Sequence, residues 1–300
     1  MKKRENELSF PNPDQQIIKK SRRDFLKTNG IIAAGTFLLP GSLYTAKKTR
    51  LTDVGIQLYT VRKEMIGDPA GTLKKLAGIG FKELESARSE KGNYYGLSPK
   101  EIRKIASDLG MKVRSGHVHV DKDWKKSLEE ATETGQEYII SAVLPSAGQT
   151  VGHYQESADE FNRLGEDCKK ANLRFGYHNH QSEFEKVDGK VLYDILLERC
   201  DPNLVTLEMD LGWVVASGND PMDYFNRFPG RFPLWHLKDV DLVQKKSVEF
   251  GKGKVDIPGL LKQAKKAGMR HYFVEQEDYA VNPFESMEYD FNYLRTHPLS

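Results

Sequence analysis

Cysteine is scarce in this chain. Cys168 and Cys200 are the two cysteines among 300 residues, and each lies within or next to a predicted helix. A scaffold that depends on disulfides uses more cysteines than this. We therefore expect two buried or idle thiols and no structural disulfide.

Long apolar runs are scarce as well. The candidate stretch, "TNGIIAAGTFLLPGSLYTA" (28–46), is interrupted by glycine and proline and falls short of the roughly 20 apolar residues that a spanning helix needs. It follows "SRRDFLK" (21–27), and a basic start with twin arginines before a modest apolar segment is typical of an export signal. The pattern resembles the twin-arginine signal of bacterial exported proteins, with a disordered basic tail as the alternative.

We predict that residues 1–46 are this signal, that the protein is periplasmic or in the cell envelope, and that the mature chain has no stable membrane span.

The chain also lacks an excess of one charge. It has 45 Lys and Arg against 43 Asp and Glu, and residues 1–46 hold 8 and 4 of these. The remaining 37 basic and 39 acidic residues give a net charge of −2, which argues against nucleic acid as a partner.

Residues 47–300 show neither a low-complexity segment nor a linker between two cores, and short apolar runs alternate with amphipathic helical patterns. Ser98-Pro99 opens one helix, while Gly110 and Gly268 close two others. Strands are predicted at 53–59, 81–86, 112–118, 137–144, 173–179, 204–210, 233–239 and 271–277. This alternation predicts a single-domain (β/α)₈ TIM barrel. An open doubly wound sheet is the alternative, but no glycine-rich phosphate loop follows the first strand.

Polar residues stand at the carboxyl ends of the predicted strands, where TIM barrels place their active sites. They are Gln57, Tyr59, Glu85, His117, His178, Asp210, His236 and Glu275, and the fourth strand has no ionisable group there. His180 follows His178 by two residues, so the two imidazoles face the same side of the fifth strand.

Four of these residues end four successive strands and offer both nitrogen and oxygen donors: His178, Asp210, His236 and Glu275. A mixed set suits Mn²⁺, Co²⁺, Zn²⁺ or Fe²⁺ better than Ca²⁺, which prefers oxygen ligands. Each residue taken singly is also compatible with a buried, hydrogen-bonded polar group. Together they predict one divalent metal ion. Mn²⁺ is preferred, because a chain that folds before export takes its metal from the cytoplasm, and Zn²⁺, Co²⁺ and Fe²⁺ stay open.

The chain resembles the xylose isomerase-like TIM barrel superfamily, in its sugar phosphate isomerase/epimerase group. The resemblance runs from Leu51 to the C-terminus. Its segments are "VGIQLYTVR" (54–62), "GYHNHQSEFE" (176–185), "EMDLGWVVASGNDP" (208–221), "GRFPLWHLKD" (230–239), "GKGKVDIPGLL" (251–261) and "FVEQED" (273–278). The family usually holds one metal with Glu, Asp, His and Glu from strands five to eight. The resemblance implies Asp210, His236 and Glu275 for the last three positions.

At strand five the chain departs from that pattern, because His178 stands where many relatives have glutamate. Epimerases of the family exchange a proton between two glutamates across the substrate, while the metal polarises a carbonyl and stabilises an enediolate. Here Glu275 alone keeps the carboxylate, so two-base epimerisation is in doubt. One-base isomerisation, or elimination and hydration beside a ketone, stays open. Lys238 faces the same barrel mouth and serves either as an acid or oxyanion partner or as a salt bridge to a rim carboxylate.

Other residues are predicted to contact substrate or to support the ligands. His180 is a substrate-binding residue or lies behind the metal, and Trp213 replaces a histidine of several relatives with a ring that suits stacking on a sugar. Tyr59, Glu85 and His117 are further substrate contacts. Glu208 shares parity with Asp210 but lies one layer deeper, where it supports the ligands or belongs to a core network and does not bind the metal.

The resemblance and the ligand set favour a divalent-metal-dependent sugar isomerase or epimerase, with Glu275 and Lys238 as catalytic residues and a small carbohydrate as substrate. Export and the missing second carboxylate favour the alternative, a lyase or hydratase acting on 3-keto-sugars or 3-keto-glycosides. A non-catalytic sugar-binding barrel and a repair endonuclease are two further hypotheses. The sequence leaves the sugar, the carbon attacked and the oligomeric state undetermined.

Overall fold

A computed structural model describes residues 53–145, 148–279 and 282–297. Its centre is a closed barrel of parallel strands, in which each strand pairs with its neighbours in chain order and the last pairs with the first. The barrel strands are β1 (Gly55–Gln57), β2 (Glu83–Ala87), β3 (Lys112–Val118), β4 (Tyr138–Ser141), β5 (Arg174–His178), β6 (Val205–Asp210), β7 (Leu234–Leu237) and β8 (His271–Val274).

Helices connect the strands and cover the outside of the barrel. They are α1 (Arg62–Gly67), α2 (Pro69–Ile79), α3 (Pro99–Asp108), α4 (Trp124–Thr134), α5 (Val151–Lys170), α6 (Leu192–Arg199), α7 (Leu211–Ala216), α8 (Pro221–Arg227), α9 (Ile257–Leu261), α10 (Ala264–Ala267) and α11 (Pro283–Thr296). Short antiparallel ribbons pair Lys186–Val187 with Lys190–Val191 and Asp239–Asp241 with Lys246–Val248.

Local sequence signals fix where several helices begin and end. Ser98 and Glu101 form a capping box at the start of α3, in which each side chain accepts a hydrogen bond from the backbone N–H of the other. Pro99 occupies the first turn, where a missing N–H costs nothing. Gly268 ends α10 with a φ of +81°, a conformation that glycine adopts without steric cost.

The register of the barrel brings polar side chains from different strands to one depth. Asp210 on β6 pairs with His236 on β7, and His178 on β5 pairs with Glu208 on β6. Beneath them a buried cluster of Tyr138, Ile140, Leu234 and Phe273 lies together, and the Phe273 ring centroid is 6.3 Å from that of His236. The polar residues therefore stand on an apolar floor.

One buried carboxylate holds the loop that follows β7. Asp239 accepts hydrogen bonds from the backbone N–H groups of Val240, Gly251, Gly253 and Val255, each at 2.9 Å. Charge-assisted bonds of this kind are stronger than neutral ones. The loop thus keeps a fixed course beside the carboxyl end of the barrel.

The predicted TIM barrel is confirmed, with small differences in the strand ends. β1 ends at Gln57, and Tyr59 lies in a 3₁₀ turn, Leu58–Val61. Cys168 and Cys200 are both buried and free. Among the described residues, the helices are too short or too polar to cross a bilayer. The predicted export signal, residues 1–46, lies outside the described residues and stays a prediction.

Asp290 on α11 predicts a pH dependence of stability that is unrelated to the site. Burial raises the pKa of Asp290 to about 8, although its carboxyl accepts a 2.8 Å bond from the backbone N–H of Phe250. An unfolded aspartate titrates near ~4, so between about pH 4 and pH 8 the folded state binds the extra proton and loses stability as pH rises.

Asp290→Asn keeps an acceptor for Phe250 but does not titrate. We expect its free energy of unfolding to rise relative to the natural chain by up to a few kcal/mol between pH 5 and pH 8. Urea unfolding at several pH values measures this difference. Curves for the two proteins that stay parallel across that range would contradict the prediction.

Candidate active site

A cavity of about 200 Å³ opens at the carboxyl end of the barrel. Its polar lining includes Tyr59, Arg88, His117, His119, His178, His180, Lys238, Glu275 and Glu277. These residues come from the ends of different strands and from the loops that follow them, as in other TIM barrels. The cavity is therefore a substrate-sized space walled by hydrogen-bonding and charged groups.

Four side chains converge below the cavity mouth, and we call them the outer group: His178, Asp210, His236 and Glu275. Each offers one donor atom, and these atoms all lie within 4.8 Å of one another. His178, Asp210 and His236 lie at or near the ends of β5, β6 and β7, and Glu275 follows β8 directly. The structure thus brings together the four residues that the sequence predicts as metal ligands.

Lys238 lies against the same carboxylates. Its Nζ is 2.8 Å from Asp210 Oδ2, 3.0 Å from Glu275 Oε2 and 2.6 Å from Glu277 Oε1, and the side chain is 1% exposed. The ammonium also lies 4.6 Å from the centroid of the Trp213 ring, a cation–π distance. Lys238 is therefore the cation that balances the buried carboxylates of the outer group, and it reaches the cavity wall as well.

A second set of side chains meets the other ring nitrogens of His178 and His236, and we call it the inner group: Glu85, His117 and Glu208. His117 Nε2 is 2.8 Å from Glu208 Oε2 and 3.1 Å from Glu85 Oε1. Glu85 also accepts hydrogen bonds from Gln57 Nε2 at 2.7 Å and from the Ser115 hydroxyl. Both carboxylates are fully buried.

Burial and neighbouring charge act in opposite directions on the carboxylates. Burial raises the pKa of Asp210 and of Glu208 above the ordinary value for a carboxyl group. Burial also opposes ionisation of Glu275, but Lys238 and His236 outweigh it and hold the pKa of Glu275 well below its usual value. The Glu275 carboxyl group is therefore ionised at neutral pH.

Burial and neighbouring charge also shift the pKa values of the histidines in opposite directions. Burial lowers the pKa of His178 well below its usual value, and the neighbouring His236 and His117 lower it further. At His117 burial is outweighed by Glu85 and Glu208, which raise the pKa to about 9. His178 is thus neutral, and neutral imidazole is the form that binds a metal.

The residues fit a divalent metal ion. The outer group offers two imidazoles and two carboxylates, a donor set suited to Mn²⁺, Fe²⁺, Co²⁺ or Zn²⁺. His178 Nδ1 and Glu208 Oε1 are buried without a hydrogen-bond partner among the described residues. Both atoms lie where the His178 ring faces Glu208 of the inner group, Nδ1 being 3.3 Å from Glu208 Oε2. The set His117, His178, Glu208 and His236 meets the same distance criterion.

The predicted substrate contacts fall into two classes. Tyr59, His117 and His180 line the cavity, and Tyr59 is 39% exposed. Glu85 and Trp213 do not line it: the Glu85 side chain is fully buried, and the Lys238 ammonium lies 4.6 Å from the centroid of the Trp213 ring.

The sequence predicts Glu208 as a supporting or core residue below Asp210, but it does not predict the pairing of Glu277 with Lys238. The parity of Glu277 with Glu275 was the available signal.

Comparisons with known proteins agree with the barrel fold. A sequence model described as xylose isomerase-like TIM barrel matches residues 73–297. An inosose dehydratase of Geobacillus kaustophilus (strain HTA426) is 24% identical over 222 residues, which cover 62% of this chain and 70% of that protein. Inosose dehydratases of Lacticaseibacillus casei and Clostridium tetani are matched over 52% and 35% of their own lengths.

Solved structures share the fold. A sugar phosphate isomerase/epimerase from Parabacteroides distasonis ATCC 8503 superposes with a TM-score of 0.73 at 28% identity, over 82% of this chain and 94% of that one. The IOLI protein with a bound zinc atom superposes with a TM-score of 0.65 over 81% of this chain and 97% of that one. Its identity of 14% shows a common fold alone.

Removal of the Lys238 ammonium is expected to destabilise the folded protein. Lys238→Met leaves Asp210 and Glu275 buried without their counter-charge, and breaking a buried ion pair costs about 3–5 kcal/mol. We expect the free energy of unfolding to fall by about that much in urea titrations at pH 7 with a chelator present. Lys252→Met, which removes a half-exposed lysine 3.3 Å from Glu249, is the matched control, and equal losses in the two variants would contradict the prediction.

Proposed function

The chain belongs to the xylose isomerase-like TIM barrel family and is an enzyme of the sugar isomerase/epimerase-like type, and from that premise we propose that it is a divalent-metal-dependent lyase acting on a keto-sugar. The observation that carries the proposal is the pair of Glu275 and Lys238 at the cavity wall, an ionised base 3.0 Å from an ammonium acid. At the end of β5, a neutral His178 stands in the place of a second base.

In this proposal His178, Asp210, His236 and Glu275 hold one metal ion, with Mn²⁺ as the first choice. When bound, the ion supplies Lewis-acid polarisation of the substrate's carbonyl oxygen. We prefer this outer group to the set that contains Glu208, because Glu208 Oε2 already lies within 3.3 Å of His117, His178 and His236. Glu275 of the outer group also reaches the cavity wall, whereas Glu208 does not line it.

The residues of this chain then divide an elimination between them. Glu275 removes the proton from the carbon next to the carbonyl, and the C–H electron pair becomes the new carbon–carbon double bond. The bond from the adjoining carbon to its leaving oxygen breaks with both electrons on oxygen, and the Lys238 ammonium gives that oxygen a proton. Water or an alcohol leaves, and an unsaturated ketone remains. Lys238 then recovers its proton from Glu275, its partner at 3.0 Å.

The comparisons support a dehydratase-like reaction. The Geobacillus kaustophilus relative is an inosose dehydratase, and a dehydratase eliminates water from its substrate. A 3-keto-sugar or 3-keto-glycoside suits the same chemistry, because the ketone acidifies the neighbouring C–H bond. The cavity of about 200 Å³ suits a substrate of monosaccharide size.

Isomerisation or epimerisation is the second candidate, and the likeness to the Parabacteroides distasonis sugar phosphate isomerase/epimerase favours it. In that reaction Glu275 would return the proton to the substrate, and no group would leave. The mass of the product separates the two candidates.

Glu275→Gln tests the proposal. We expect the natural chain, loaded with Mn²⁺, to convert a keto-sugar into a product lighter by one water or by the leaving alcohol. We expect kcat to fall by roughly 10²–10⁴ in the variant, the usual contribution of a positioned base. Mass spectrometry of the product and steady-state kinetics measure both quantities.

Glu249→Gln is the control, since Glu249 is buried away from the cavity and pairs with Ser286 at 2.8 Å; it should keep its kcat. A product of unchanged mass would favour the isomerase over the lyase. Full activity of the metal-free chain, or of Glu275→Gln, would refute the proposal.

A further inference from the structure

The imidazoles of His178 and His236 each face two ways. His178 turns Nε2 toward Asp210 Oδ2 at 3.9 Å and Nδ1 toward Glu208 Oε2 at 3.3 Å. His236 turns Nδ1 toward Glu275 Oε2 at 2.8 Å and Nε2 toward Glu85 Oε1 at 2.5 Å. Each ring therefore has one nitrogen on the outer group and the other on a carboxylate of the inner group.

We propose that Glu208 and Glu85 are positioning residues, which hold His178 and His236 with Nε2 and Nδ1, respectively, presented to the metal ion. The inference rests on the proposed function, because it assumes that the outer group holds the metal. Histidine ligands generally donate their second N–H to a carboxylate or carbonyl, which fixes the ring and strengthens the ligand. The structure supplies such an acceptor behind each of the two histidines.

Glu85 of the inner group is itself held from two neighbouring strands. Glu85 is fixed by Gln57 from β1 and Ser115 from β3, and its side chain is fully buried. His117 bridges Glu85 and Glu208 from the cavity side. A carboxylate fixed from several strands determines the orientation of the imidazole that it meets, so the barrel wall sets the ligand geometry.

His178 Nδ1 approaches Glu208 Oε2 to 3.3 Å without forming a hydrogen bond. His178 Nδ1 and Glu208 Oε1 lack hydrogen-bond partners among the described residues, although both residues are more than nine-tenths buried. A small rotation of the imidazole pairs Nδ1 with Glu208. We infer that metal binding at Nε2 and hydrogen bonding at Nδ1 favour the same ring orientation.

Glu208→Gln tests this inference in the full chain, with metal affinity as the readout. Glutamine keeps the size of the side chain and an acceptor oxygen, but it removes the negative charge that strengthens the hydrogen bond from the imidazole N–H. We expect the Kd for Mn²⁺, measured by competition with a chelator, to weaken by about 10–100-fold. The visible absorption of the Co²⁺-loaded chain, which reports ligand geometry, should change as well.

Glu83→Gln is the matched control. Glu83 lies two residues before Glu85 on β2, is equally buried, and meets His271 Nδ1 at 2.7 Å in a glutamate–histidine pair that does not reach the outer group. Its loss should lower stability without changing the Kd for Mn²⁺. Glu85→Gln is the second test variant and should weaken Mn²⁺ binding in the same way, so the inference is tested even where Glu208→Gln does not fold.

The outcomes are distinct. A natural chain that binds no Mn²⁺, Co²⁺ or Zn²⁺ overturns the proposed function and this inference together. A natural chain that binds metal, with test variants no weaker than Glu83→Gln, overturns this inference alone. Complete loss of metal in Glu208→Gln while Asp210→Asn keeps it would make Glu208 a ligand, which also overturns the positioning role.

Discussion

The structure depends on the balance of charge at the carboxyl end of the barrel. Carboxylates buried there repel one another and lose their hydration, so they are tolerated only with cations and donors held against them. Lys238 compensates Asp210 and Glu275, while His117 lies between Glu85 and Glu208. This compensation gives Glu275 its low pKa and keeps Lys238 charged, which are the two properties that the proposed elimination uses.

The barrel holds these charged side chains at two depths, as the outer group and the inner group. Side chains two residues apart on a strand face the same way at different depths, so Asp210 belongs to the outer group and Glu208 to the inner one. His178 and His236 lie between the layers and contact both. A change at Glu85 or Glu208, neither of which lines the cavity, therefore acts on His178 and His236 of the outer group from outside the cavity.

Much of this arrangement could be predicted from the sequence. Alternating strands and helices predict the barrel, and the carboxyl ends of parallel strands meet at one edge, which brings His178, Asp210, His236 and Glu275 together. Depth within the barrel was harder to predict, because parity gives the side of a strand but not the level that a side chain reaches. Glu85, predicted to contact substrate, is fully buried in the inner group. Trp213, predicted to stack on sugar, has the Lys238 ammonium 4.6 Å from the centroid of its ring.

In the proposed function, one divalent metal ion is held beside the cavity by His178, Asp210, His236 and Glu275. Anomalous diffraction from crystals of the Mn²⁺-loaded chain tests it most directly. We expect one strong anomalous peak bounded by these four side chains, with Lys238 retained at Glu277. A peak bounded by His117 and Glu208, or no peak at the barrel end after loading, would contradict it.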